Sequence, residues 1–355
     1  MGIQHLRSEF YQDFIEFNDA INSNRNDAKQ RFESEVLANP LLENKSQPHI
    51  LVAFDGNHQI VGQHLHNPFE YCYGCKINRG FFGYDFYVLE KCRGQGIGYA
   101  LASESDRQFF PHFGLGVSEK SKKILLSLNN RVIGNLYIFI WLKNVKSLFR
   151  LMQHVLLKNK SENKEKKIDR FIFPGQIQVA GKTFNRIDSL PLWRHNPMKN
   201  DILEFSRSME FLKWRFFSRN GKYAFYLLNE PDSNTYFVTR IINTKGLNLL
   251  TIVDYRFSFE DKKKFELILR ASKFLARYVR CDGVFTMSSH KFFDTILKNN
   301  LFIKRMKPIN LLTNAPFDFA QHLVESRQNV FATMADSDLD YYFKFQEVDM
   351  GNGKN

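Results

Sequence analysis

Three glycines within five residues, Gly94, Gly96 and Gly98, stand between a β-prone aromatic run at 80–89 and a helical stretch at 99–109. At such a junction glycine lets the backbone turn left-handed and approach a ligand with no side chain in the way. The helix that follows presents its first N–H groups and the positive end of its dipole, a natural seat for phosphate or pyrophosphate. Spacing alone serves a tight turn equally well, so the order of the surrounding elements has to decide.

Phe10, Phe14, Phe17 and Ile21 recur at helical spacing and predict one or two helices over 9–38. Strand-like runs at 49–54 and 59–65 flank Asp55-Gly56-Asn57-His58, a hairpin signal. Beyond the glycines come a strand at 113–117, a helix at 121–128 and a strand at 132–141, which completes an α/β domain over 1–142. A dinucleotide fingerprint would follow the first strand of such a domain, whereas these glycines follow the third strand of an antiparallel series. A Walker loop would end in Gly-Lys-Ser/Thr, and Gly98-Tyr99-Ala100 does not.

Residues 143–170 change character, with nine lysines and arginines against Glu162, Glu165 and Asp169. Region 143–200 reads as a basic connector, and its amphipathic start suits weak peripheral contact with anionic lipid. A second domain is expected over 201–355. It repeats the order of the first, with strands at 223–228, 235–242 and 247–255, a helix at 259–280, a strand at 283–287, a helix at 291–299 and strands at 309–312 and 330–333. Its strand-to-helix junction, Ser258-Phe259-Glu260-Asp261-Lys262, has no glycine and carries two acids suited to helix capping.

Arg93, Gly96 and Gly98, set in this order of elements, resemble the Arg/Gln-x-x-Gly-x-Gly/Ala motif of the GNAT superfamily of acetyltransferases. The resemblance implies an α/β (α+β) fold of two GNAT-like domains, each a mixed, mostly antiparallel sheet flanked by helices, the second copy degenerate. It also implies acetyl-CoA (coenzyme A) as co-substrate, with the pyrophosphate on Arg93, Gly94, Gln95, Gly96, Ile97, Gly98 and Tyr99, the pantetheine arm along Phe86, Tyr87 and Val88, and Ser118 as a further coenzyme-binding residue. Over the whole chain, the approach Gly83, Asp85, Val88 and the loopless second copy are similar to tandem acyltransferase-like proteins associated with bacterial surface-polysaccharide synthesis. Leu125 stands where many relatives place the tyrosine that protonates the leaving thiolate, so that route to a general acid is absent.

Deprotonating an acceptor amine calls for a carboxylate or histidine near the thioester. Asp85 is the first candidate and Tyr84 the second, since a bulge could turn either inward; His64, His66 and Glu70 are candidates to line the acceptor pocket. Asp336 and Asp338 are candidates to meet a cationic or polyhydroxyl acceptor. Cys72 and Cys75 form a Cys-x-x-Cys without the second ligand pair of a zinc site, so no metal is expected. Fifty basic residues against 37 acidic give +13, which fits an anionic partner, and no nucleic-acid-binding signature accompanies it. With 43% hydrophobic residues and no run of membrane-spanning length, the chain is expected to be globular and cytoplasmic. The expected activity is acetyl transfer to a small amine, plausible acceptors being amino sugars on a nucleotide or lipid carrier. The alternatives are acyl or aminoacyl transfer to cell-wall precursors and coenzyme A binding without catalysis.

Overall fold

The computed structural model describes residues 2–22, 27–74, 76–156, 171–191, 193, 201–218, 223–231, 233–259, 261–326, 329–336, 344–345 and 348–349. From the N-terminus run β1 (Gly2–His5), α1 (Tyr11–Ile21), α2 (Ala28–Arg31) with a π-helical turn (Phe32–Leu37), β2 (Ile50–Phe54), β3 (Ile60–Tyr73) and β4 (Lys76–Val88). Next come α3 (Ile97–Gln108), β5 (His112–Leu115), α4 (Glu119–Ser127), β6 (Arg131–Leu142) and α5 (Val145–Leu156). Then follow β7 (Phe171–Ile172), β8 (Gln176–Val179), β9 (Lys182–Ile187), β10 (Leu203–Phe205), α6 (Met209–Leu212), β11 (Ala224–Leu228), β12 (Tyr236–Thr244) and β13 (Leu247–Arg256). The last are α7 (Lys262–Tyr278), β14 (Gly283–Ser288), α8 (Lys291–Asn299), β15 (Ile303–Lys304), β16 (Ile309–Thr313), α9 (Phe317–Ser326) and β17 (Val330–Phe331).

The chain forms two compact units. The first comprises Met1–Asn135, Asn200–Ser206 and Ile309–Val330; the second comprises Leu136–Lys199, Arg207–Pro308 and Phe331–Asn355. In the first, β1, β2, β3 and β4 pair antiparallel in succession, β5 joins β4 in parallel, and β16 closes on β5 antiparallel. In the second, β8, β9, β11, β12 and β13 pair antiparallel, β14 joins β13 in parallel, and residues 137–142 of β6 close on β14 antiparallel. Each unit is thus a mixed, mostly antiparallel sheet with helices against it, the fold class expected from the sequence.

The boundaries differ from those expected. The units are not the contiguous stretches 1–142 and 201–355, because β6 passes out of the first unit after Asn135 and β16 supplies β5 with its neighbour. Apolar patterning records that a strand is buried, not which sheet it joins. Nor is 143–200 wholly a connector, since β8 and β9 are strands of the second sheet; residues 157–170 and 194–200 lie outside the described residues.

Alternation along β2 builds both faces of the first sheet. Ile50, Val52 and Phe54 pack with Phe14, Phe17, Phe32 and Val36 of the α1–α2 layer. Leu51 and Ala53 pack with Ile97, Leu101 and Phe109 of the α3 layer. A strand covered on both faces needs an unbroken apolar run, which is what Ile50-Leu51-Val52-Ala53-Phe54 supplies. No helix among the described residues is long and apolar enough to cross a membrane.

Candidate active site

The glycine cluster forms the entry to α3. Gly94 and Gly96 sit at φ 85° and 79°, in the left-handed region, and a β-carbon at either would meet no atom within 4 Å. Gly96 is the N-cap of α3 and has no side chain to bond the helix's first N–H groups. Those of Ile97, Gly98 and Tyr99 have no acceptor within the helix, so the turn offers several donors converging on open space. Helices α4 and α7 close the same end with a side chain, Ser118 accepting from Ser121 N–H and Asp261 from Lys264 N–H, whereas α1 and α2, like α3, have no side-chain cap. Arg93 does not project from the loop as a free cation. Its Nε donates to Val88 O at 3.0 Å, its guanidinium pairs with Glu90 at 2.9 Å, and it lies over the Tyr87 ring, tying the loop to the end of β4.

Gly98, two residues further on, packs against that strand. A β-carbon there would stand 3.4 Å from Ile124, 3.7 Å from Phe86 and 3.8 Å from Val88. The parallel ladder between β4 and β5 runs only from Phe81–His112 to Gly83–Gly114. Past that glycine pair β4 continues through Tyr84–Val88 without β5 beside it, leaving a forked sheet whose β4 edge leads to the glycine turn. A group held by the turn can therefore extend along the fork, and the open left-handed glycines, the uncapped helix and the parted strands together fit a pyrophosphate carrying a long thiol-bearing arm.

At the fork β4 also bulges. Leu65 lies opposite Tyr84 and Gln63 opposite Tyr87, so Asp85 and Phe86 share the place of one residue, with Asp85 at φ 44°. The extra residue breaks strict alternation. Tyr84 and Asp85 both line a shallow, solvent-open pocket whose other walls include Phe14, Asn18, Asp19, Asp27, Arg31 and Glu35. Arg31 ties the walls together, its Nη2 3.2 Å from Asp85 Oδ2 and its Nε 3.4 Å from Glu35 Oε2. Four carboxylates face this space against one guanidinium, the reverse of the chain's overall sign. The sequence reading missed this helical wall; its signal was the Arg31 to Glu35 spacing, which puts both on one helix face.

His64 and His66 do not line this pocket, contrary to expectation. Gln63 and Leu65 take the α1 side of β3, where Gln63 and Asn18 exchange amide hydrogen bonds of 2.9 and 3.0 Å. The intervening histidines therefore face α3: His66 bonds the Ser105 hydroxyl and stacks on Phe109, while His64 stacks on Phe86. Both are buried, and a β-carbon at Gly83 would stand 3.0 Å from His64 Nε2, so glycine at the fork makes room for that ring. Burial pushes both imidazoles well below their ordinary pKa, and the neighbouring imidazoles add to the effect. Glu70 stands opposite Arg79 in the register farther along the β3–β4 ladder and is not in the pocket wall. Leu125 is a core residue packed with Ala102 and Leu312.

Asp336 is not available to an acceptor. It is buried in the second unit, where Arg207 bonds it at 2.7 Å and bonds Asp254 with two contacts of 2.9 Å; Tyr236 and Thr333 complete the network. Asp338 and Cys75 lie outside the described residues. Among the described residues no cluster of His, Cys, Asp and Glu is arranged to hold a metal ion.

This architecture is shared with solved acyltransferases. The chain is similar to a GCN5-related N-acetyltransferase from Anabaena variabilis, with a TM-score of 0.57 and 12% identity over 88% of this chain and 72% of that one. It is similar to a conserved protein of unknown function from Enterococcus faecalis, with a TM-score of 0.53 and 10% identity over 88% and 71%. A third likeness is to Saccharomyces cerevisiae N-myristoyltransferase with bound myristoyl-CoA, with a TM-score of 0.52 and 13% identity over 80% and 70%. No protein-family model matches the chain, and none of the curated proteins is similar to it in sequence. At these identities the likeness establishes the fold, that of the GNAT superfamily.

Proposed function

We propose that the chain is an acyl-CoA-dependent N-acyltransferase whose first unit holds the coenzyme at residues 93–99 and the acceptor amine in the pocket beside Asp85. The observation that carries this reading is the uncapped start of α3 at Gly96, laid against β4 just past the point where β4 and β5 part. The N–H groups from Gly94 to Tyr99 would hold the pyrophosphate, and the free edge at Phe86, Tyr87 and Val88 the pantetheine arm. Acetyl-CoA would supply an acyl group activated as a thioester. Arg93 keeps the loop in place through Val88 O.

Asp85 is positioned by Arg31 to take the proton of the attacking amine, with Tyr84 beside it on the same wall. Four carboxylates around the pocket favour a cationic acceptor, drawn in as an ammonium and deprotonated there. Leu125 offers no proton, so the leaving thiolate takes one from another group or from water. The finer reading is an amino sugar on a nucleotide or lipid carrier, an acceptor whose phosphates suit the chain's +13 charge. The two units then form a tandem pair with one working coenzyme site, as in the surface-polysaccharide proteins the chain resembles.

The buried Leu125 favours a second reading, coenzyme A binding without transfer. Thiol release from acetyl-CoA, measured against panels of amino sugars and of sugars lacking the amine, separates the two. Release that depends on the amine supports transfer; binding of acetyl-CoA with no release on any acceptor supports the second reading.

A further inference from the structure

Helix α5 is attached the wrong way round for a surface helix. Its polar edge holds it to the second unit: the buried Ser147 bonds Asn144 and Asp282, Arg150 pairs with Asp282 at 3.1 Å, and Asn144 caps the first turn. Four of its apolar residues face solvent, with Val145 79%, Phe149 61%, Met152 51% and Leu148 38% exposed. At 100° per residue these four fall within one narrow stripe, at positions i, i+3, i+4 and i+7, with Ser147 on the opposite side. A globular protein ordinarily buries such a stripe, and one left outside marks a contact surface.

The charge beside the stripe identifies the partner. Lys143 and Lys146 are exposed, Arg150 is half-exposed, and no aspartate or glutamate occurs from Lys143 to Leu156. An apolar face flanked by cations and free of carboxylates matches the boundary between acyl chains and anionic headgroups. We infer that α5 docks the protein on an anionic phospholipid bilayer, with Val145, Leu148, Phe149 and Met152 entering the headgroup boundary and Lys143 and Lys146 meeting the phosphates. The helix is too short to span and lies in the interface. This inference stands apart from the proposed chemistry, since every residue it uses belongs to the second unit.

Co-sedimentation of the full chain tests it, with vesicles of phosphatidylcholine alone and of phosphatidylcholine mixed with phosphatidylglycerol. Binding is expected only to the mixed vesicles, and weaker in high salt. A Phe149→Ser/Met152→Ser variant and a Lys143→Gln/Lys146→Gln variant are each expected to bind roughly tenfold or more weakly, because each removed cation near an anionic surface counts for about fivefold. All four side chains are exposed, so both variants should melt like the parent. Failure to bind mixed vesicles, or equal binding by both variants, overturns the inference. So does a dimer in solution that Phe149→Ser/Met152→Ser dissolves, because a second copy would then cover the face.

Discussion

Acidification below the ordinary imidazole range is expected to weaken the first unit steeply, because His64 and His66 are buried where a new charge finds no solvent. They are 3% and 1% exposed, their rings are 4.2 Å apart between Phe86 and Phe109, and the Nδ1 of each is buried without a hydrogen-bond partner. Both are held well below the usual value, first by burial and then by repulsion from neighbouring imidazoles. Above about pH 6.5, folded and unfolded chains both carry neutral rings, and nothing is lost. Below it the unfolded chain takes up protons the folded chain refuses, so stability falls by about 1.4 kcal/mol per pH unit per ring. While both folded rings stay neutral, the two together approach about 2.7 kcal/mol per pH unit below about pH 6.5, against about 5–15 kcal/mol for a typical domain. Carboxylates held low, such as Glu104, withdraw their contribution only at more acid pH. Urea unfolding of the full chain at about pH 7.5, 6.5 and 5.5 measures the slope, and a His64→Phe/His66→Gln variant should flatten it whatever its stability at neutral pH. The same slope in parent and variant, or ordinary imidazole titrations for both rings by NMR, would show that these histidines do not set the acid sensitivity.

Replacing Asp85 with Asn should lower kcat by about 100- to 10,000-fold while acetyl-CoA affinity stays put, as removal of a general base does; a parental kcat takes Asp85 out of the mechanism. Arg207→Met should leave Asp254 and Asp336 buried without their counter-charge and destabilise the second unit by about 3–5 kcal/mol. Calorimetric melting reads that loss, and an unchanged melt would mean the network is not stabilising. Gly98→Ala should fold and bind coenzyme normally, since its methyl group meets only ordinary contacts of 3.4 to 3.8 Å. Gly96→Val puts a branched side chain at φ 79°, costing about 1–2 kcal/mol and obstructing the seat; equal coenzyme affinity in the two variants would contradict the geometry of the turn.

The order of elements in the first unit was legible because its signals are local: the apolar run 50–54, the Asp55-Gly56 turn and the glycine cluster are each complete within a few residues. Strand β1 was not, since Gly2-Ile3-Gln4-His5 is a short stretch of exposed and half-buried residues in alternation that extends along the β2 edge. The face of His64 and His66 depends on which side of β3 receives α1, a fact held by Asn18 and Gln63 across 45 positions. The bulge that turns Tyr84 and Asp85 together depends on the register of β3 against β4, which no residue type announces. The interleaving of the units was invisible for the same reason: nothing in the composition of β6 or β16 names a partner.

We propose that one coenzyme A binds each chain, at the Gly96 end of α3 and not at α7, where Asp261 already occupies the helix start. Titration calorimetry of the full chain with coenzyme A tests it directly, run on the parent, on Gly96→Val and on Asp261→Ala. One site per chain is expected in the parent and in Asp261→Ala, with binding largely lost in Gly96→Val although that protein still folds. No binding to the parent, two sites per chain, or full affinity in Gly96→Val would contradict it.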